Sequence, residues 1–140
     1  MDPLTLPGTL DSLPAIGQYV LAAAAAAELD KKAAYRLRLA VDEIATNVIT
    51  HGYEEANRAG LLDIQAVINE TDLTIFLEDT GATYQPDEVS QPTHLDQPLE
   101  ERPLGGLGVY LATQGVDQFR YEPLGNRNRH IFIMYRSGEK

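Results

Sequence analysis

The chain has 140 residues, 44% of them hydrophobic and 23% charged, with a formal net charge of −10. That length holds one domain with a real core and is too short for two ordinary ones, and the composition is that of a soluble globular chain. An acidic body repels nucleic acid and anionic membrane, so generic binding to either is excluded. No cysteine is present. This rules out disulfides, thiolate metal sites and thiol catalysis, and it suits a reducing cytoplasm.

The first residues, MDPLTLPGTLDSLP, show no basic region ahead of an apolar run, so no signal peptide is predicted. The longest apolar run, Val20 to Ala27, falls far short of the roughly 20 residues of a membrane span. Leu4 to Leu6, between two prolines, reads either as a short edge strand or as a loose arm. Ser12 with Pro14 marks a helix start, and a helix is expected from Leu13 to Leu29. Its run of alanines is a strong helix former and could also let another backbone approach closely, as in a dimer. Asp30 caps a second helix, predicted from Lys31 to His51 and stopped by Gly52.

Two strands follow, Leu61 to Asn69 and Asp72 to Glu78, joined by a tight turn at Glu70-Thr71. From Ala82 to Pro103 the chain is rich in proline and acids and poor in apolar residues. A loop of that length is usually functional, for example a lid. Leu104 to Gly108 (LGGLG) then opens a short helix that ends near Gly115. The last two strands are Phe119 to Tyr121 and Ile131 to Tyr135, with a turn at Gly125-Asn126. Hairpin-paired strands with helices set apart predict an α+β two-layer sandwich, with helices on one face of a mixed, mostly antiparallel sheet.

Three segments carry candidate chemistry. In the second helix Glu43, Asn47 and His51 recur every fourth residue and so stack in one file. A carboxylate can serve as general base, and an amide oxygen can join the shell of a hard cation. Next, Glu78-Asp79-Thr80-Gly81 ends a strand. A carboxylate there can accept from an exocyclic amine, and a glycine beside it leaves room for a flat base. Finally, Gly105-Gly106-Leu107-Gly108 offers backbone N–H groups to phosphate at a helix start. It is neither a P-loop nor a Rossmann turn, since no Gly-Lys-Ser/Thr follows and no strand precedes it. Each segment alone is also what a solvated helix face, a simple turn or a hinge produces.

Taken in order, the three resemble the boxes of the histidine-kinase/gyrase/Hsp90 (GHKL, or Bergerat) ATPase fold. In detail the chain is similar to the anti-sigma factor serine kinases over about residues 4 to 136. DEIATNVITHGY resembles that family's asparagine box, EDTGATYQP its first glycine box and RPLGGLGVYLA its second. The resemblance implies Glu43 as catalytic base and Asn47 as the Mg²⁺ ligand. It implies Asp79 as the contact to adenine with Gly81 beside it, and Gly105, Gly106, Leu107 and Gly108 along the triphosphate. Arg102, at the end of a lid of about residues 85 to 104, suits the γ-phosphate. His51 reads as a structural hydrogen-bonder or a cation at the helix terminus. The chain departs from the pattern at Ala82-Thr83-Tyr84. It departs again at Gly125 to Arg129, where a Gly-Thr pair that supports the adenine site is often found.

The function so implied is an ATP- and Mg²⁺-dependent protein serine/threonine kinase. Its partners would be an anti-anti-sigma protein of the STAS type, which it phosphorylates, and a sigma factor or similar regulator, which it sequesters. A homodimer is also implied. The alternative is a nucleotide-gated binding module that regulates a partner without phosphorylating it. A hydrolysing relative of gyrase or Hsp90 would need further domains to drive.

Overall fold

The computed structural model describes residues 1–81 and 114–136. The expected lid, Arg102 and the Gly105–Gly108 turn with its helix lie outside the described residues.

The chain opens with strand β1 (Leu4–Pro7) and a single 3-10 turn (Leu10–Ser12). Two helices follow, α1 (Leu13–Ala26) and α2 (Lys31–Asn47). A π-helical segment, Val48–Glu54, continues α2 without a break. Strands β2 (Leu61–Ile68) and β3 (Asp72–Asp79) come next, then β4 (Gln118–Leu124) and β5 (Arg127–Tyr135). All five described strands form one sheet in the order β1-β2-β3-β5-β4, and every pairing is antiparallel. The two-layer α+β architecture expected from the sequence is present, and Leu4–Pro7 is an edge strand.

Strand alternation decides which residues meet the helices. Leu62, Ile64 and Ala66 of β2, Leu73, Ile75 and Leu77 of β3, and Phe132 and Met134 of β5 are buried. They form one core with Ile16, Val20, Ala23, Ala24 and Ala27 from around α1 and with Leu37, Ala40, Val41, Ile44 and Ala45 of α2. Of the alanine run, Ala23, Ala24 and Ala27 are buried in this core, where small side chains let the two helices approach closely.

Local chemistry sets the element ends. The Asp30 carboxylate accepts from the Ala33 N–H at 2.7 Å, as its N-cap position requires. Ser12 does not cap α1. Its hydroxyl donates instead to the Pro7 carbonyl at 2.7 Å, tying the helix start to β1. Helix α1 stops at Ala26, three residues short of the expected Leu29. Glu28 adopts the left-handed conformation at φ 62°, and the Leu29 N–H reaches the Ala24 carbonyl at 3.0 Å. At the β2–β3 turn the Asn69 side-chain oxygen accepts from the N–H groups of Thr71 and Asp72, both at 2.9 Å. At the β4–β5 turn Gly125 sits at φ 69°, a conformation strained for any side chain.

The expected stop at Gly52 is not where the helix ends. The backbone widens instead, with i to i+5 bonds from the Glu55 N–H to the Thr50 carbonyl and from the Arg58 N–H to the Tyr53 carbonyl, both 2.8 Å. No helix among the described residues is long and apolar enough to cross a membrane.

Candidate functional site

The end of β3 carries two of the residues expected at the site, Asp79 and Gly81. Asp79 closes the inward-facing series Leu73, Ile75, Leu77, Asp79, so its carboxylate lies on the helix side of the sheet and is 1% exposed. Burying a carboxylate is costly unless donors surround it. Oδ1 accepts from the Gly81 N–H at 2.8 Å and from the Asn128 Nδ2 at 2.9 Å. Oδ2 lies 3.1 Å from Nε2 of the buried His130. Asn128 Nδ2 also reaches the Gly81 carbonyl at 3.2 Å, and Tyr121 donates its hydroxyl to Asn128 Oδ1 at 2.6 Å.

Gly81 is needed for close approach. A Cβ at that position would sit 2.9 Å from the Gly52 carbonyl oxygen, and a backbone atom there cannot swing aside. The π-helical segment and the end of β3 therefore touch backbone to backbone. Tyr53 fixes that contact. Its hydroxyl donates to the Leu61 carbonyl at 2.8 Å and accepts from the Thr80 N–H at 2.9 Å. Gly8 and Gly60 make room for its ring, because a Cβ at either would lie within 2.7 Å of a ring carbon.

Asn47 and Glu43 stand on the same helix that leads into this junction. Asn47 is 7% exposed, and its Nδ2 has no hydrogen-bond partner among the described residues. An amide can turn by 180° to offer oxygen in place of nitrogen. A buried polar group without a partner fits a residue that completes its bonds on a ligand or a cation. No cluster of three or more His, Cys, Asp or Glu among the described residues could hold a metal alone.

Glu43, one turn earlier, is half-buried, and its neighbour Asp42 pairs with Arg38 at 3.6 Å. Burial pushes the Asp42 carboxyl up, Arg38 opposes that, and the nearby Glu43 charge adds to it. Two carboxylates thus sit side by side at this end of the helix.

His51 lies in the π-helical segment, and its Nδ1 is 2.8 Å from Glu55 Oε1 at the surface. Its structural reading is the one the geometry bears out. Asn128, His130 and Tyr121 were not singled out from the sequence. The signal that could have found them is the period-two series Asn128, His130, Phe132, Met134, which puts two polar residues on an inward-facing strand side.

The opposite face of the sheet has a charged row of its own. Arg127 bridges Asp63 at 2.8 Å and Glu78 at 3.0 Å, and Arg129 pairs with Glu78 at 2.7 Å. A shallow cavity of about 350 Å³ lies there, lined in part by Pro3, Gln65 and Phe76. It contains none of the sequence-predicted site residues.

Comparisons with known proteins agree with this arrangement. The family model of the histidine kinase-like ATPase domain matches residues 6–131. A serine-protein kinase RsbW of Oceanobacillus iheyensis is 30% identical over 87 residues, which are 60% of this chain and 54% of the relative. An anti-sigma F factor of Clostridium acetobutylicum is 33% identical over 98 residues, 69% of this chain and 66% of the relative. The chain thus spans between about half and two thirds of these relatives' lengths. Among solved structures, the histidine kinase domain of the Erythrobacter litoralis EL346 blue-light activated histidine kinase superposes with a TM-score of 0.56 at 18% identity. That match covers 89% of this chain and 59% of the other, and it shows the shared fold alone. The chain belongs to the histidine kinase-like ATPase domain family.

Proposed function

We propose that this protein is an ATP-binding serine/threonine kinase of the anti-sigma type. Its substrate would be a serine or threonine of a small anti-anti-sigma (STAS-type) partner, and in its other state it would hold a sigma factor or similar regulator. The observation that carries this reading is the junction of two elements. A buried carboxylate, Asp79, is packed through Gly81 against the helix that bears Glu43 and Asn47. Relatives named serine-protein kinase and anti-sigma F factor support the reaction class.

In this reading Asp79 accepts a hydrogen bond from the exocyclic amine of adenine, and Gly81 holds the strand end beside it against the helix. Asn47 supplies an oxygen to Mg²⁺, which neutralises phosphate charge when bound. Glu43 takes the proton of the attacking hydroxyl. Arg102 and Gly105 to Gly108 are assigned to the phosphates by sequence alone. A homodimer is part of the proposal on family grounds.

The test is to incubate the protein with Mg-ATP labelled at the γ-phosphate and an anti-anti-sigma partner, and to follow label into the partner. Transfer to a serine or threonine supports the kinase. A stable complex with the unphosphorylated partner and no transfer turns the reading to a nucleotide-gated binding module. Absence of any ATP binding by calorimetry overturns both.

A further inference from the structure

The inner end of the sheet carries a polar string of which the proposed function uses only Asp79. It runs from Tyr121 on β4 through Asn128 and His130 on β5 to Asp79 on β3. The strand register places Tyr121 opposite His130 and Asp79 opposite Asn128. The Tyr121 and His130 rings pack at 5.3 Å between centroids.

The hydrogen bonds fix every orientation in the string. Asn128 faces two acceptors, Asp79 Oδ1 and the Gly81 carbonyl, so its NH₂ must point toward them. Its oxygen is then left to the Tyr121 hydroxyl. Desolvation pushes the Tyr121 phenol up, and the negative charge of Asp79 adds to this, so the hydroxyl stays protonated and donates. Both acceptor positions of Asp79 Oδ1 are filled, by Gly81 and Asn128. Oδ2 has His130 as its one partner among the described residues and keeps a further acceptor position.

We infer that Tyr121 and Asn128 are positioning residues that lock Asp79 in one rotamer with a single acceptor position left for the base. The pocket then selects a 6-aminopurine and rejects a 6-oxopurine, which presents an acceptor to an acceptor. This rests on the assignment of Asp79 to the base made above. The selectivity resides in the string and not in Asp79 alone. A carboxylate free to rotate could turn away from the 6-oxo group, and a fixed one cannot. A site whose buried polar groups are committed in this way discriminates far more strongly than an apolar slot.

The experiment measures binding of ATP and ITP by calorimetry to the full chain and to its Tyr121→Phe, Asn128→Ala and Asn128→Thr variants. The wild type is expected to prefer ATP by about 100-fold or more. Asn128→Ala should cut the preference to below about tenfold, with the loss falling on ATP and little change for ITP. Asn128→Thr, whose hydroxyl can donate to Asp79, should recover part of the preference. Tyr121→Phe removes one hydroxyl only and should give an intermediate ratio, so it decides the matter if Asn128→Ala does not fold. An unchanged ATP/ITP ratio in folded variants overturns the inference while leaving ATP binding by this protein intact. So does an equal weakening of both nucleotides, which would mark the string as purely structural. A wild type that binds neither nucleotide overturns the base assignment and the inference together.

Discussion

Gly81 and Gly52 meet backbone to backbone, so a Cβ on Gly81 would lie 2.9 Å from the Gly52 carbonyl oxygen. One residue comes from the end of a strand and the other from a π-helical segment, and 29 positions separate them in sequence. The contact holds the wall with Glu43 and Asn47 against the strand end with Asp79.

Gly81→Ala should therefore strain the junction itself. Overpacking against backbone costs about 1–3 kcal/mol. Urea unfolding should show a loss in that range, with unchanged cooperativity. ATP affinity should fall with it, because displacing Gly81 also displaces the N–H that bonds Asp79 Oδ1.

Tyr53→Phe removes one oxygen and leaves two part-buried backbone groups short, the Leu61 carbonyl and the Thr80 N–H. The expected loss is about 0.5–1.5 kcal/mol, the net worth of an intramolecular hydrogen bond. Amide exchange at Thr80 should accelerate in the variant, and an unchanged rate there would show that water replaces the phenol.

Glu43→Gln tests the chemistry apart from the fold. Glu43 is half-buried and outside the apolar core, so thermal stability should change little. Phosphoryl transfer should fall by at least about 100-fold, the usual contribution of a general base, while ATP binding persists. Transfer that survives the substitution would move the proton acceptor elsewhere.

On the open face of the sheet Asp63 predicts a pH dependence. The Thr5 hydroxyl, at 2.6 Å, holds its carboxyl below the usual range; desolvation opposes this, and the Arg127 guanidinium adds to the lowering. A depressed folded value means that Asp63 stabilises the protein above the ordinary Asp range. That stability is lost as pH falls through the lowered value. The carboxylate is about a third exposed, so screening keeps its worth under about 1 kcal/mol. Wild type and Asp63→Asn should differ by that amount in urea unfolding at pH 7, and the difference should shrink as pH falls below the ordinary Asp range.

Much of this protein was legible in its sequence because local rules dominate there. The Asp30 cap, the β2–β3 hairpin and the alternating strands follow from short-range chemistry and period-two burial. The order of the helix with Glu43 and Asn47 and the strand end with Asp79 and Gly81 was legible as an ordered set of motifs.

What the tertiary structure alone decided is how these pieces touch. The helix passes Gly52 as a π-helical segment, because Tyr53 and Gly81 hold it to the sheet more strongly than a glycine's local preference can end it. Within that segment His51 forms a surface pair with Glu55. Strand β5 begins at Arg127, four residues before the apolar run that marks it in the sequence. Its first inward residues, Asn128 and His130, are polar and carry no strand signal of their own. They are buried because Asp79 needs donors, and a carboxylate 49 residues away cannot be read from their local sequence.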